Sequence, residues 1–199
     1  MTVNVVGIGG SLRTDSQSEL AMRLVLAGAA EHGAKITTIT GTDLMLPFYD
    51  PGDPQRTPAA KRLVEELRDA DGVIIVSPGY HGGVSGLVKN ALDYVEDLRA
   101  DERIYLDGRA VGCVAVAAGW QSAVTTLNSL RASVHALRGW PTPLGAAVNS
   151  TVVSFDRAGG CTDPDVATTL RLIGQQVVDF AVRSAEPPGP PGAPRAPGA

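Results

Sequence analysis

Apolar runs alternate with amphipathic stretches along this chain. Short runs rich in valine, isoleucine and alanine predict strands, near residues 3–8, 35–40, 72–77, 109–118 and 143–149. Stretches with apolar residues at helical spacing predict helices, near 17–32, 57–70, 85–98, 123–138 and 163–184. This alternation is typical of β-α units around a parallel sheet, so the pattern predicts an α/β domain.

The runs at 72–77 and 109–118 are continuously apolar, which indicates strands covered on both faces. Five strands with intervening helices fit a flavodoxin-like three-layer sandwich, whose five-stranded parallel sheet has the order 2-1-3-4-5. The order is taken by analogy, because periodicity does not specify it. With right-handed crossovers, the loops after the first and third strands lie at the same sheet edge.

Two segments stand apart from this pattern. Residues 41–58 form a long loop, which is either functional or a packed surface excursion. Residues 186–199 are mostly proline, glycine and alanine, a composition that predicts disorder. We therefore expect one domain over residues 1–185 followed by a disordered tail at 186–199.

Composition narrows the class of protein. The 199 residues carry a formal net charge of −4, which argues against nucleic-acid binding. No apolar run reaches the roughly 20 residues of a membrane span, and the first residues do not resemble a secretory signal. Two cysteines are too few for a disulfide framework, so a reducing, cytoplasmic location is expected.

The loop after the first strand has the chemistry of a phosphate site. A glycine-rich turn entering a helix exposes backbone N–H groups, and Ser11, Ser16 and Ser18 add hydroxyl donors. Arg13 adds a charge-assisted donor. The loop lacks the lysine of a P-loop, and Leu12 replaces a glycine of the dinucleotide-binding fingerprint. The alternative is a helix that is merely N-capped by Ser16.

The loop after the third strand is suited to a flat ring. Pro78 stiffens the strand exit, Gly79 permits close backbone approach, and Gly82 adds another flexible position. Tyr80 is expected either to pack on the ring of an aromatic ligand or to shape the site, and His81 is either a ligand contact or an ordinary polar loop residue. Together the two loops favour a phosphorylated planar cofactor, for which FMN fits best.

Two motifs identify a family resemblance over about residues 3–150. Residues 10–16 read Gly-Ser-Leu-Arg-x-x-Ser, and residues 77–93 run from Ser-Pro-Gly-Tyr-His-Gly to Lys-Asn-Ala-Leu-Asp. The chain resembles the NADPH-dependent FMN reductase family, and the resemblance assigns Leu12 with its neighbours to the phosphate loop. The family commonly has asparagine where this chain has Ser18.

A third loop departs from the family. The family usually has several glycines beside the ring after the fourth strand, whereas this chain has Ala118, Gly119 and Trp120. We include all three among the candidate cofactor-binding residues. Trp120 has three interpretations: it covers the ring, narrows the substrate site, or packs at a subunit boundary.

The resemblance implies an FMN-dependent oxidoreductase. Hydride would pass from NADPH or NADH to flavin N5, and then to a small-molecule acceptor such as a quinone, an azo compound or free flavin. If free flavin is the acceptor, the reduced flavin would be supplied to a separate flavin-dependent monooxygenase. We nominate no catalytic side chain or metal ligand, because the cofactor carries the chemistry. The rivals are a flavodoxin-like electron carrier and a biosynthetic flavoenzyme with a dedicated substrate.

The resemblance also implies a homodimer or homotetramer with flavin at the interface. The predicted helix at 85–98 has an apolar stripe, at positions 87, 88, 91, 92 and 95, which serves a subunit contact or the core. The preference between NADPH and NADH stays open. Arg13, Arg56 and Arg131 are the candidates to bind a 2′-phosphate.

Overall fold

A computed structural model describes residues 2–185 of the chain. The predicted tail at 186–199 lies outside the described residues. The strands are β1 (Asn4–Gly9), β2 (Lys35–Thr40), β3 (Gly72–Tyr80), β4 (Gly83–Val84), β5 (Ala110–Ala117), β6 (Trp140–Pro141) and β7 (Ala146–Asn149). The α-helices are α1 (Gln17–Glu31), α2 (Pro58–Asp69), α3 (Gly86–Asp93), α4 (Trp120–Ala136) and α5 (Pro164–Ala185). The 3₁₀-helix Gly41–Leu44 precedes the 45–57 segment, and the 3₁₀-helix Tyr94–Leu98 follows α3.

The sheet confirms the flavodoxin-like fold. Its order is β2-β1-β3-β5, and β6 and β7 both pair with β5 in parallel, while β4 pairs antiparallel with β3. The prediction of five strands is wrong, because the sheet has seven. The fifth position is divided between β6 and β7, with Pro141 and Pro143 at the division. Proline has no N–H to continue a ladder, which explains the break.

Helices cover both faces of the sheet. Alternate residues of β3 point to opposite sides: Ile74 and Val76 pack in a cluster with α1 and α5, whereas Val73 and Ile75 pack with α2 and α3. All four are fully buried. The continuous apolar run at 72–77 therefore has the two-sided burial that its composition predicts.

The stripe on α3 belongs to the core. Val88, Ala91, Leu92 and Val95 are all buried in the cluster with α2, and Leu87 alone is partly exposed. The predicted helix at 85–98 is divided, because α3 ends at Asp93 and a 3₁₀-helix continues it. Of the two roles open to this stripe, packing of the single chain accounts for four of the five positions.

A buried arginine joins α2 to the start of β5. The Arg109 guanidinium donates to the carbonyl oxygens of Arg68 at 2.7 Å, Ala70 at 3.0 Å and Tyr105 at 3.1 Å. Burial lowers the pKa of Arg109 to about 10. The side chain thus satisfies carbonyl groups at the edge of the sheet opposite to the predicted ligand loops.

We expect Arg109→Ala to lower the free energy of unfolding by about 3 kcal/mol, because buried carbonyl groups lose their donors. Arg99→Ala is the control, since that side chain is exposed and lies 3.5 Å from Glu96. It should change stability by less than about 1 kcal/mol. Urea unfolding curves of both variants check this, and equal midpoints would contradict it.

Candidate functional site

A crevice of about 390 Å³ lies at the carboxyl edge of the sheet. We call it the edge crevice. It is lined by the loop after β1, the start of α1, the carboxyl ends of β3 and β5, and the residues that follow β5 and β7. These residues are Ser11, Arg13, Ser16, Gln17, Ser18, Pro78, Gly79, Tyr80, Val116, Ala117, Ala118 and Ser150. Eight of the predicted site residues are therefore brought together here, as expected for loops at the carboxyl ends of parallel strands.

The N-terminus of α1 forms one end of the edge crevice. Ser16 caps the helix, since its Oγ accepts from the Glu19 N–H at 3.2 Å, and its hydroxyl lies 3.1 Å from that of Ser18. The Oγ of Ser11 accepts from the Arg13 N–H at 3.1 Å, which tightens the loop. Ser16 therefore has the capping role given by the alternative interpretation, and it also lines the crevice.

The charges around this end favour an anion. Asp15 lies 2.9 Å from Arg23 and 2.6 Å from Arg157, and Glu19 lies 2.8 Å from Arg23. The hydrogen bond to Glu19 raises the pKa of Arg23. Both carboxylates are thus neutralised, and Arg13 adds a further positive charge within the lining. With these carboxylates paired, Arg13 and the N-terminal end of α1 supply positive charge at this end.

The predicted ring loop is a β-hairpin. Gly79 pairs with Val84 and Tyr80 with Gly83, and the two residues between them have positive φ angles, 53° at His81 and 81° at Gly82. Two positive φ angles are typical of a type I′ turn. His81 is exposed at the tip, and neither His81 nor Gly82 lines the edge crevice. Their contacts with a ligand stay predictions.

Packing against α4 explains the glycine at position 79. A Cβ there would lie 2.7 Å from Thr126 Oγ1, 2.9 Å from the Ala117 Cβ and 3.1 Å from Ser122 Oγ. Thr126 also donates to the Gly83 carbonyl at 3.2 Å, which fixes the hairpin on the helix. The sequence interpretation missed this reason, because it depends on a helix more than 40 residues away.

The third predicted loop is shorter than expected. The helix α4 begins at Trp120, three residues before the predicted start at 123, because Gly119 occupies the N-cap with a φ of 148°. Ala118 lines the edge crevice, whereas Gly119 and Trp120 do not. Trp120 is 55% exposed on the outer surface of α4.

A second and larger cavity, of about 710 Å³, adjoins the edge crevice. We call it the outer cavity. It is lined by Gly10, Ser11, Leu12, Arg13, Leu44, Met45, Leu46, Phe48, Tyr80, Ser85, Gly86, Leu87 and Asn90. Ser11, Arg13 and Tyr80 line both cavities, so the two share a wall. The predicted long loop at 41–58 therefore contributes to a cavity.

The sequence interpretation missed two polar residues of the edge crevice. Ser150 follows β7 directly, and its place after the last strand is the signal that identifies it. Gln17 begins α1, and its side chain pairs with the Phe155 backbone, accepting from N–H at 2.8 Å and donating to the carbonyl at 3.2 Å. No local signal in the sequence reveals the pairing of Gln17 with the Phe155 backbone, because the two residues are 138 positions apart.

This topology and edge crevice define a flavodoxin-like α/β protein. The sequence profile of the NADPH-dependent FMN reductase family matches residues 3–152. The chain belongs to this family, as its two motifs predicted.

Curated relatives cover part of the chain. An NADPH azoreductase from Bacillus sp. (strain OY1-2) is 39% identical over 90 residues, 45% of this chain and 47% of that protein. A 2-hydroxy-1,4-benzoquinone reductase from Burkholderia sp. is 33% identical over 95 residues, 47% of this chain and 50% of that protein. The chain thus matches about half the length of these relatives.

A solved structure agrees over nearly the whole chain. The flavoenzyme NAD(P)H:acceptor oxidoreductase FerB from Paracoccus denitrificans has a TM-score of 0.72 and 21% identity, covering 92% of this chain and 99% of that one. At this identity the likeness establishes the fold. Among residues 2–185, no helix is long and apolar enough to cross a membrane.

We expect Gly79→Ala to lower the free energy of unfolding by about 1–3 kcal/mol, because the added methyl group collides with α4. Gly86→Ala is the matched control. A Cβ at position 86 meets nothing within 4 Å at the start of α3, so stability should stay equal or rise slightly. Thermal unfolding of both variants measures the difference, and equal effects would contradict the packing argument.

Proposed function

We propose that this protein binds FMN in the edge crevice and acts as an NAD(P)H-dependent oxidoreductase. It passes electrons from NADPH or NADH to a small-molecule acceptor, which is a quinone, an azo compound or free flavin. The observation that carries the proposal is the edge crevice itself, which joins an electropositive helix N-terminus to a glycine-containing hairpin. The names of the matched azo and quinone reductases support the class of acceptor.

The chemistry of the lining fits FMN. Ser11, Arg13, Ser16 and Ser18, with the first N–H groups of α1, would hold the phosphate. Ser16 accepts from the Glu19 N–H and shares a hydrogen bond with Ser18, which leaves the pair one free hydroxyl proton to donate to a phosphate. The neutralised Asp15 and Glu19 do not oppose a dianion.

The hairpin and the end of β5 would hold the ring. Pro78, Gly79 and Tyr80 line the crevice on one side, and Ala118 lines it on another. Gly79 and Ala118 are small and leave room for a flat group, and the exposed Tyr80 ring is available to pack on it. Leu12, His81, Gly82, Gly119 and Trp120 flank this lining, and in our proposal they shape its approaches.

Bound FMN supplies the hydride-transfer chemistry, for which the chain need provide no nucleophile. With a quinone acceptor, the overall reaction oxidises NADPH by two electrons and reduces the quinone to the hydroquinone. NADPH provides a hydride, and the one proton that is also needed comes from solvent. The role of the chain is to bind and orient the reactants.

Arg13 is the best supported of the three arginines considered for a 2′-phosphate. Arg56 pairs with Asp97 at 2.7 Å, and Arg131 donates to the Thr142 carbonyl at 2.9 Å. Arg13 lines both cavities. If Arg13 holds FMN, residues 2–185 place no second arginine in either lining to favour NADPH over NADH.

The first test is an anaerobic visible spectrum of FMN-reconstituted protein, recorded before and after addition of NADPH or NADH. We expect FMN that the protein retains to lose its absorption band at about 450 nm when the nucleotide is added. This band is a property of the flavin itself. Retained FMN that neither nucleotide bleaches would favour an electron carrier or a dedicated biosynthetic flavoenzyme. Absence of FMN binding would remove the assignment of the edge crevice.

We expect Arg13→Ala to weaken FMN affinity about 10- to 100-fold, because a charge-assisted hydrogen bond to phosphate is lost. Riboflavin, which lacks the phosphate, should bind both proteins equally. Arg183→Ala, near the end of α5, removes the same charge from a residue outside both cavities and should leave FMN affinity unchanged. Fluorescence titration measures these affinities, and an equal loss for riboflavin would contradict a phosphate contact.

A homodimer or homotetramer in the cytoplasm completes the proposal. Trp120 and Val124 lie one turn apart on α4 and are 55% and 45% exposed, which supports a subunit contact there. Both cysteines are free thiols, in keeping with a reducing compartment. Sedimentation velocity tests the assembly, and activity coupled to a flavin-dependent monooxygenase tests the use of free flavin as acceptor.

A further inference from the structure

The outer cavity has the character of a small-molecule site. Its volume of about 710 Å³ lies within the usual range for ligand pockets. Most of its side chains are apolar, including Leu12, Leu44, Met45 and Leu87. None of these four belongs to the edge crevice, so the outer cavity offers apolar surface that the proposed FMN site does not use.

One wall of this cavity is the 45–57 segment, which has no regular secondary structure. Asn90 of α3 holds it through hydrogen bonds to the backbone of three residues. Its Nδ2 donates to the carbonyls of Pro47 at 2.9 Å and Leu46 at 3.4 Å, and its Oδ1 accepts from the Tyr49 N–H at 3.0 Å. Asn90 is only 8% exposed, so these bonds are shielded from water.

A second set of contacts fixes the same segment further along. Arg56 donates to both Asp97 oxygens, at 2.7 Å and 2.9 Å, and its guanidinium carbon lies 4.9 Å from the Tyr49 ring centroid. The Arg56 hydrogen bond holds the pKa of Asp97 below its usual value. Tyr94 donates to the Pro47 carbonyl at 3.1 Å and meets the Tyr49 ring edge-on at 5.2 Å. The wall is therefore anchored at both ends.

One aromatic side chain of this anchored wall is exposed to solvent. Phe48 lies between the residues that Asn90 binds, and it is 91% exposed, while Met45 is 63% exposed. An exposed phenylalanine ring is unfavourable in water, and a backbone that is held in place cannot move to bury the ring. An arrangement that orders the backbone and leaves the ring exposed is typical of a binding surface.

We propose that the outer cavity binds a flat, mainly apolar electron acceptor, and that Phe48, positioned by Asn90, selects it. This inference rests on the oxidoreductase activity proposed above. Aromatic stacking on Phe48 and contact with Met45 and Leu12 would favour a fused-ring quinone over a small ionic acceptor. Asn90 acts through the backbone of the wall and is a positioning residue.

Menadione and ferricyanide are the two acceptors that test the selection by Phe48, because menadione is flat and apolar whereas ferricyanide is a small polyanion. We expect Phe48→Ala to raise the dissociation constant of menadione about tenfold, since the stacking surface is lost. Equilibrium dialysis against the oxidised FMN-loaded protein, without nicotinamide, measures this without turnover. The ratio of kcat/KM for menadione to that for ferricyanide should fall by a similar factor.

Trp140→Ala is the matched control, because it removes a 58% exposed aromatic side chain outside both cavities. It should leave the menadione dissociation constant and the kcat/KM ratio unchanged. Asn90→Ala should produce the same selective loss as Phe48→Ala, and the double variant should lose nothing more. Additive losses in the double variant would overturn the positioning role of Asn90.

Three further results would overturn the selection by Phe48. They are an unchanged menadione dissociation constant in Phe48→Ala with the assembly intact, an equal loss for both acceptors, and an unchanged menadione dissociation constant with a smaller assembly. The last result would assign the wall to a subunit contact. Failure of the proposed function is a separate result, because the wild-type protein would then oxidise NADPH with neither acceptor.

Discussion

The parallel pairing of β1 with β3 is the constraint on which the site depends. Gly9 lies opposite Val76, and the Gly10 N–H donates to the Val76 carbonyl at 3.0 Å, so the ladder continues past the end of β1. The strand β1 therefore ends beside Val76, while β3 continues to Tyr80. A Cβ on Gly10 would lie 2.5 Å from Val88 and 2.6 Å from Ser85 Oγ, which shows how closely the first loop packs on α3. The edge crevice is a consequence of this packing.

Groups that face the edge crevice also stabilise the fold around it. Ser16 caps α1, Gly79 makes room for α4, and Gln17 joins α1 to the backbone of Phe155. A structural role and a ligand role are therefore not exclusive alternatives for these residues. Substituting them would alter the fold together with the proposed binding, so Arg13, which is exposed and lines both cavities, gives a cleaner test of the proposed ligand role.

Local sequence predicted the elements well, because burial on both faces and helix capping are short-range signals. It also predicted most of the edge crevice, since that lining follows strand ends. It failed where contacts are distant. The division between β6 and β7 depends on pairing with β5. The early start of α4 was missed for a different, local reason, the φ of 148° at Gly119. The outer cavity depends on Asn90 reaching a carbonyl 43 residues away.

The helix α3 links the two cavities mechanically. At its N-terminus Ser85 donates its N–H to Ser77 Oγ at 2.9 Å, and its own Oγ accepts from the Val88 N–H at 3.2 Å, which attaches the helix to the end of β3. Asn90 lies five residues further, a rise of about 7.5 Å along a rigid helix. The distance between the hairpin of the edge crevice and the wall of the outer cavity is therefore set by one short helix whose apolar face is buried. In the proposed function, this spacing relates the hairpin that would hold the flavin ring to the wall that would contact the acceptor, because α3 is attached to both.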